Sequence, residues 1–306
     1  SGADLRTDKA YLQLLTFSLS ALAIIGKVGD FPLRDHVSRV LTEGDELKRL
    51  LERAGTFAGK PQTGNLAMFH GILLWHAKLH LGYDTTESIQ LWKELHIRTR
   101  NRFGFWGDFP EMTYLQFQNG FHQYEIFHFP QVVQDPTTSM AARETAAMAD
   151  RRGQFAPYPG GGGCYDFDAV AILTSSAEMD SFRELLLRTL QTILSSQNPD
   201  GGFCESHYVR PVSPRTLITQ IDHVTRHRGP GIRERIRYGF TLQRPRHNKV
   251  TTHWTDTHRD WNQSDLWDTW FRMMAVARID EALRLSSGLP WRYIDFPGIG
   301  YHPGLT

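Results

Sequence analysis

Carboxylic acids stand at the starts of two segments that otherwise have the pattern of apolar helices. The first segment follows four consecutive glycines and reads Cys164-Tyr-Asp-Phe-Asp168-Ala-Val-Ala171. The second reads Ser264-Asp-Leu-Trp-Asp268 and stays mostly apolar as far as residue 280. A carboxyl buried beside another carboxylate has a raised pKa, because the two groups cannot both ionise at low cost. Such a carboxyl can serve as a general acid near neutral pH.

Each of these two helices carries Asp residues at two kinds of position. Asp166 and Asp265 lie at the very start, where an Asp side chain can accept hydrogen bonds from unpaired backbone amides, and we expect them to cap. Asp168 and Asp268 lie further inside, where capping is a poorer explanation. They are therefore the stronger candidates for chemistry, with Asp166 as polar support.

A third polar set is His122-x-x-Glu125-x-x-His128, in a predicted helix over residues 116–133. His122 and Glu125 share one helical face, one turn apart, whereas His128 lies well round the helix. With an Asp from another helix, the pair could bind a divalent metal or act in general acid–base catalysis. A buried His–Glu hydrogen bond without chemistry is the alternative.

The elements that carry these residues are helical, because apolar residues recur with helical spacing and strand signals are scarce. Charged amphipathic helices alternate with loops rich in Gly or aromatic residues and with helices that are apolar nearly all round. The alternation recurs about every 40 to 60 residues, as in arrays of helical pairs. The predicted helices cover residues 8–27, 35–54, 63–75, 85–102, 116–133, 136–152, 180–195, 233–238 and 264–280, besides the one that begins at Cys164.

The best-defined unit runs over residues 157–203 and contains the glycine loop, an apolar helix, an amphipathic helix and the turn Asn198-Pro-Asp-Gly-Gly-Phe203. This unit resembles one repeat of the α/α toroids formed by protein prenyltransferase β subunits and by squalene–hopene and class II diterpene cyclases. Cys164, Tyr165 and Phe167 match the Cys-Tyr-x-Phe pattern of the prenyltransferases. The resemblance implies a ring of paired helices around a central cavity.

The match to the cyclases is partial and lies in Asp166-Phe-Asp168-Ala-Val-Ala171, against their Asp-x-Asp-Asp-Thr-Ala pattern. In that family the middle Asp donates the proton that starts cyclisation, and Asp168 stands at its position. Ala169 and Val170 replace the next Asp and the Thr, so one acidic partner is missing. The resemblance implies protonation and cyclisation of an isoprenoid or polyene by Asp168, supported by Asp166, Asp268, Glu125 and His122.

The resemblance also implies that the inner helices begin at the mouth of the cavity, so that their first turns share one site. Aromatic faces at such a site would stabilise a cation. The candidates for substrate binding are Asn65, Asn119, Phe121, Cys164, Tyr165, Phe167, Trp267 and Trp270.

The prenyltransferases hold a zinc ion with an Asp two residues before the Cys, with that Cys, and with a His on the last inner helix. Gly162 and Asp268 stand at the first and third positions, so only Cys164 remains. We therefore expect no metal site and interpret Cys164 as a small buried residue packed near glycines. No cofactor is required by the predicted reaction, and Mg²⁺ enters only if the substrate is a diphosphate.

We predict an all-α fold, a single α/α toroid (α/α barrel) of about five to six hairpins that forms one domain over residues 1–306. Open superhelical repeats are the alternative. A net charge of +1 gives no global field that would favour nucleic acid. The most apolar run, residues 11–25, is too short and too polar for stable membrane insertion. Two cysteines, Cys164 and Cys204, make no disulfide framework, which favours a cytoplasmic location.

Two further segments have distinctive composition. Residues 226–249 contain eight Lys or Arg against one acid, Glu234, and we interpret them first as a solvated face and second as a site for an acidic partner or a diphosphate. The loop over residues 251–263, with Trp254 and Trp261, is a candidate lid. The histidines His247, His253 and His258 have no recognised metal-binding spacing.

Three functions remain open at this point. The leading hypothesis is a terpene-cyclase-like enzyme acting on a small apolar or isoprenoid substrate. The second is a carbohydrate-active hydrolase, lyase or epimerase, since α/α barrels also host those reactions. The third is a non-catalytic toroid that binds a lipid or a protein. A dry cavity lined by Phe and Trp favours the first, and a wet cleft with spaced carboxylates favours the second.

Overall fold

The computed structural model describes residues 5–28, 35–209, 213–226, 231–242, 249–251, 256–258, 262–286, 291–293 and 296–300. Within these residues the chain forms twelve α-helices and one antiparallel pair of three-residue strands, which confirms the all-α class. The helices are α1 (Lys9–Ile24), α2 (Asp35–Thr42), α3 (Gly44–Ala54), α4 (Thr63–His80), α5 (Thr86–Thr99), α6 (Tyr114–Phe127), α7 (Pro136–Ala147), α8 (Gly163–Thr174), α9 (Arg183–Ser195), α10 (Pro214–Arg226), α11 (Ile232–Leu242) and α12 (Leu266–Leu283). The strands are β1 (Lys249–Thr251) and β2 (Asp256–His258).

The chain divides into two compact units. Unit 1 comprises residues 1–108, 115–137 and 292–306, and unit 2 comprises residues 109–114 and 138–291. Helices α1 to α5 and nearly all of α6 belong to unit 1, whereas most of α7 and all of α8 to α12 belong to unit 2. The single ring over the whole chain remains a prediction.

Most predicted helices are present, although their first and last residues differ from the prediction. One prediction is wrong, and one helix was not predicted. The segment 35–54 is two helices, because Glu43 is extended (φ −108°, ψ 94°) and ends α2 before Gly44 begins α3. Helix α10 was not predicted, although Pro214 at its first turn and Ser213 before it are start signals. The hydroxyl of Ser213 accepts a hydrogen bond from the Thr216 amide at 3.2 Å.

Unit 1 is built on α4, which is buried on nearly every side, as its apolar sequence predicts. Two glycines let α6 approach α4 closely. A Cβ atom on Gly64 would lie 2.1 Å from the backbone oxygen of Asn119, and one on Gly71 would lie 2.4 Å from Cγ2 of Ile126. No side chain fits at either position without moving α6.

Unit 2 is built on the packing of α8 against α12. The loop before α8 has positive φ at Gly160 (+94°) and Gly161 (+66°), a conformation that favours glycine. A Cβ atom on Gly161 would lie 2.3 Å from Oδ2 of Asp166, and one on Gly160 would lie 2.1 Å from Oγ of Ser206. The glycine loop therefore lets the backbone run directly against the polar groups of the site.

The turn after α9 fixes the start of α12. The Asn198 side chain donates to Oγ of Ser264 at 2.8 Å, and that hydroxyl donates to Oδ1 of Asp200 at 2.7 Å. The amide of Phe203 donates to Oγ1 of Thr269 at 3.0 Å, and Phe203 forms a bridge with Asp265. The Asn-Pro-Asp-Gly-Gly-Phe turn thus places the first turn of α12 beside the glycine loop of α8. None of the described helices has the length and apolar character needed to cross a membrane.

Candidate functional site

Asp166 lies in the first turn of α8 and is fully buried. Its Oδ1 accepts a hydrogen bond from the Phe155 amide at 2.9 Å, and its Oδ2 lies 3.3 Å from Nη1 of Arg272. The N-cap of α8 is Gly162, so the expectation that Asp166 caps its own helix is wrong. For Asp265 the expectation is confirmed, because its side chain accepts from the Asp268 amide at 2.9 Å.

The environment raises the pKa of Asp166 to about 7. Burial is the largest cause, and the charges of Asp150 and Asp268 act in the same direction. Arg272 and the Phe155 amide favour the ionised form and oppose this shift without cancelling it. A carboxyl poised near neutral pH is typical of acid–base sites and also occurs in structural ion pairs.

Arg272 on α12 is the buried counter-ion of this site, with 1% of its surface exposed. Its Nη1 donates to Asp166, while its Nη2 donates to the backbone oxygens of Gly160 at 3.2 Å and Glu205 at 3.1 Å. The guanidinium also lies over the Phe203 ring, 5.9 Å from its centroid. Sequence reasoning missed Arg272; the signal was a lone basic residue in the apolar run Trp270-Phe-Arg-Met-Met274.

The charges of three carboxylates act on the thiol of Cys164. Burial raises the pKa of Cys164 well above its ordinary value, and the charges of Asp168, Asp268 and Glu205 raise it further. Asp168 is fully buried and Asp268 is 4% exposed. The structure therefore brings together an acidic cluster, which consists of Asp166, Asp168, Glu205 and Asp268. Glu205 was not predicted, and its only signal is its position just after the Gly-Gly-Phe turn.

Buried tyrosines surround this acidic cluster. The hydroxyl of Tyr158 donates to Oε1 of Glu205 at 2.8 Å. Burial, followed by nearby acidic groups, raises the pKa of Tyr158 well above its ordinary value. The pKa of Tyr165 is raised in the same way, with Tyr238 as a hydrogen-bonding neighbour. Both phenols are therefore neutral near pH 7 and act as hydrogen-bond donors to the cluster or to a ligand.

Aromatic rings of α8 and α12 lie next to the acidic cluster. The ring centroids of Phe167 and Phe271 are 5.6 Å apart, and those of Trp267 and Trp270 are each 4.9 Å from Phe271. Trp267 is 40% exposed and Trp270 is 37% exposed, although both stand beside the buried Asp268 in sequence. These four rings form an aromatic group in which Phe167 and Phe271 are buried and the two tryptophans at the start of α12 are open to solvent.

The predicted residues of unit 1 form a separate set. Nδ1 of His122 lies 3.3 Å from Oε2 of Glu125, as their spacing predicts, and Phe121 is buried. The Asn119 side chain donates to the Lys60 oxygen at 2.8 Å and accepts from the Gly64 amide at 3.4 Å, so it ties α6 to the start of α4. Asn65 is half-buried.

His128 has a partner of its own, since its Nδ1 accepts from the Val133 amide at 3.1 Å. His122 and Glu125 belong to unit 1, whereas Asp166, Asp168 and Asp268 belong to unit 2. Their shared use in one site stays a prediction. In the described part of the chain, no three His, Cys, Asp or Glu side chains form a group that could hold a metal ion.

Several predicted features lie outside the described residues. They include His247, His253, Trp254 and Trp261, and with them most of the candidate lid and part of the basic segment. The strands β1 and β2 lie within this region. Of the tail, Trp291 in unit 2 donates from Nε1 to Oδ2 of Asp280 at 2.6 Å, and Phe296 in unit 1 packs on His76 and His80.

Unit 2 contains a cavity of about 420 Å³ beside Arg272. Most of its described lining residues have polar side chains, and Tyr208 contributes a phenol ring. The lining residues are Arg152, Gln154, Gly160, Gln191, Thr192, Ser195, Ser196, Cys204, Ser206, His207, Tyr208 and Arg272.

The chain matches no protein-family model, no curated protein and no solved structure. The likeness to α/α toroids is therefore carried by the residues between Pro157 and Phe203 and remains a prediction.

Proposed function

We propose that the chain is an enzyme that uses general acid catalysis, in which Asp168 protonates an isoprenoid or polyene substrate and starts its cyclisation. The observation that carries the proposal is that Asp168 and Asp268 are both buried, at the starts of the two packed helices α8 and α12. Crowded, buried carboxyl groups favour protonation of at least one of their number. A buried acid beside aromatic rings is the combination that such a reaction needs.

The reaction would run in three steps. The Asp168 carboxyl gives its proton to a carbon of the substrate double bond, which forms a C–H bond and leaves a carbocation. The π faces of Phe167, Trp267 and Trp270 stabilise that cation while an internal double bond attacks it. A proton is then lost from the cyclised cation, and Asp168 regains a proton from solvent. Asp166 and Arg272 hold the first turn of α8 in place and take no part in the proton transfer.

A second candidate is an acid–base enzyme acting on a carbohydrate. The polar lining of the 420 Å³ cavity supports it, because hydroxyl, amide and guanidinium groups suit a hydroxylated ligand better than a polyene. In that case Tyr208 would stack on a sugar ring, and His207 would be the acid–base residue of the cavity.

Product analysis by mass spectrometry separates these candidates. Wild type would be incubated with isoprenoid diphosphates and polyprenyl alcohols, with and without Mg²⁺, and in parallel with oligosaccharides and uronic acid polymers. We expect a cyclised isoprenoid from wild type and from Asp180→Asn, an exposed Asp of the same unit, and none from Asp168→Asn. Conversion of a carbohydrate alone would favour the second candidate. No conversion of any compound would count against both.

A further inference from the structure

We propose that the 420 Å³ cavity of unit 2 binds a small polar molecule through an oxyanion, a phosphate or a carboxylate group. Its volume is within the range of small-molecule sites, about 300 to 1,000 Å³. The binding does not depend on acid catalysis by Asp168, which is not among the lining residues.

The charge of the cavity walls points to an anion. Two guanidinium groups, Arg152 and Arg272, line the cavity together with His207, and none of the described lining residues is an Asp or a Glu. Guanidinium groups bind phosphate and carboxylate through paired N–H donors of matching geometry. Arg272 is already paired with Asp166, so Arg152 is the cation of the described lining that an anion would meet first.

Arg272 is held in a fixed orientation before any ligand arrives. Its two terminal nitrogens are bound by Asp166, Gly160 and Glu205, and its Nε has no hydrogen-bond partner among the described residues. Asp166 is the one charged acceptor in this set. Because the pKa of Asp166 is raised to about 7, its carboxylate neutralises the guanidinium only in part near neutral pH.

Arg152 supplies a second cation that a ligand can reach. Its side chain is exposed, and its guanidinium lies over the Tyr208 ring, 4.6 Å from the centroid. Its backbone oxygen accepts from Oγ1 of Thr192 at 2.7 Å, which ties this segment to α9. An arginine stacked on a ring loses less side-chain freedom when it binds an anion than one that moves freely in solvent.

The hydroxyl groups of the cavity indicate what the rest of the ligand carries. The hydroxyl of Thr192 donates to Arg152, and that of Ser206 donates to the Pro159 oxygen at 2.7 Å. Their single protons are thus used within the protein; the Ser206 oxygen also accepts from the Tyr208 amide at 3.1 Å, and each oxygen keeps a lone pair for a donor. The ligand is therefore expected to bring hydroxyl or amino donors in addition to its anionic group.

Isothermal titration calorimetry with inorganic phosphate, and separately with acetate, tests the site. We expect saturable binding of at least one of these anions to wild type and an affinity at least tenfold weaker for Arg152→Gln. The matched control is Arg151→Gln, which removes the same charge from an exposed neighbour that does not line the cavity. The anion affinity of this control is expected to stay within about twofold of the wild-type affinity.

Two further variants test whether the guanidinium group of Arg272 is needed and whether binding is independent of Asp168. Arg272→Lys retains the charge but loses the guanidinium fork, and we expect weaker binding with an unchanged circular dichroism spectrum. Asp168→Asn is expected to bind phosphate as wild type does, whatever happens to its catalysis. The proposal would be overturned if wild type bound neither anion. It would also be overturned if Arg152→Gln and Arg151→Gln lost the same amount of anion affinity. Phosphate binding without acetate binding would assign the site to phosphate-bearing ligands.

Discussion

Nη1 of Arg272 on α12 lies 3.3 Å from Oδ2 of Asp166 on α8, and both side chains are excluded from solvent. This pair joins the two helices that carry Asp168, Asp268 and the aromatic group. The pair also contacts the glycine loop. Arg272 donates a hydrogen bond to the Gly160 oxygen, and Gly161, which has no side chain, leaves room for the Asp166 carboxylate. This buried contact therefore adds to the α8–α12 packing that positions the acidic cluster.

Removal of the arginine leaves a buried carboxyl without its counter-ion. We expect Arg272→Met to lower the free energy of unfolding by about 3–5 kcal/mol, as for other buried pairs that lose one partner. The same change at the exposed Arg188 should cost less than about 0.5 kcal/mol. In urea unfolding, the double variant Asp166→Asn/Arg272→Met should be less destabilised than the sum of its single variants. Additive losses would show that the two residues do not interact.

The raised pKa of Asp166 makes the stability of the protein depend on pH. The folded pKa is about 7 and the unfolded value is about 4, so the folded state binds the proton more tightly. The stabilisation from this proton is fully present below about pH 4 and is lost as pH rises through about 7. Burial is the largest cause of the raised pKa, the charges of Asp150 and Asp268 add to it, and the charge of Arg272 opposes it.

The measurement is the difference in free energy of unfolding between wild type and Asp166→Asn at pH values from 5 to 8. We expect wild type to lose stability relative to this variant as pH rises, because asparagine does not titrate. Asp180→Asn is the control for the same change at an exposed carboxyl. If wild type instead gains stability relative to Asp166→Asn as pH rises, the folded state favours the ionised carboxylate.

The glycine loop should not tolerate a side chain at position 161. Gly161→Ala places a Cβ atom 2.3 Å from Oδ2 of Asp166 at a φ of +66°. The matched control is Gly201→Ala, with a φ of +86° and no atom within 4 Å of the added Cβ. We expect about 1–2 kcal/mol of destabilisation in the control from backbone strain alone, and more at Gly161. Equal losses by thermal unfolding would show that the loop has room to move.

Asn119 was predicted to bind substrate, but its side chain is already occupied within unit 1. Asn119→Ala removes hydrogen bonds to the Lys60 oxygen and the Gly64 amide, and we expect a loss of about 1–3 kcal/mol in stability. Asn65→Ala, at a half-buried position, is the comparison and should cost less. If Asn119→Ala is as stable as wild type and instead raises the KM of the conversion, the Asn119 side chain binds substrate and does not stabilise the fold.

Local features of the sequence predicted a large part of what the structure contains. The apolar character of α4, the cap at Asp265, the His122–Glu125 pair and the glycine loop all follow from short-range rules of helix and turn chemistry. Sequence reasoning also identified Asp166 as a residue of interest but assigned it a local cap. The amide that it binds belongs to Phe155, outside its own helix.

The features that the sequence did not predict depend mostly on contacts between residues that are far apart in the chain. Arg272 lies 106 positions after Asp166, and no periodicity or motif pairs the two. Glu205 enters the acidic cluster because the turn after α9 is fixed to α12, a tertiary contact that composition does not indicate. Helix α10 was missed although Leu217, Ile221 and Val224 recur at helical spacing and mark a face. Burial and long-range pairing, which set the pKa of Asp166, appear only once the helices are packed.

Conversion in heavy water tests whether catalysis begins with proton donation by Asp168. A product formed by wild type in D₂O should carry one deuterium on the carbon that Asp168 protonates, since the carboxyl exchanges its proton with solvent. Asp168→Asn should form none of this product, while Asp180→Asn should form it with the same label. An unlabelled cyclised product from wild type, or a labelled one from Asp168→Asn, would contradict the assignment of Asp168 as the acid.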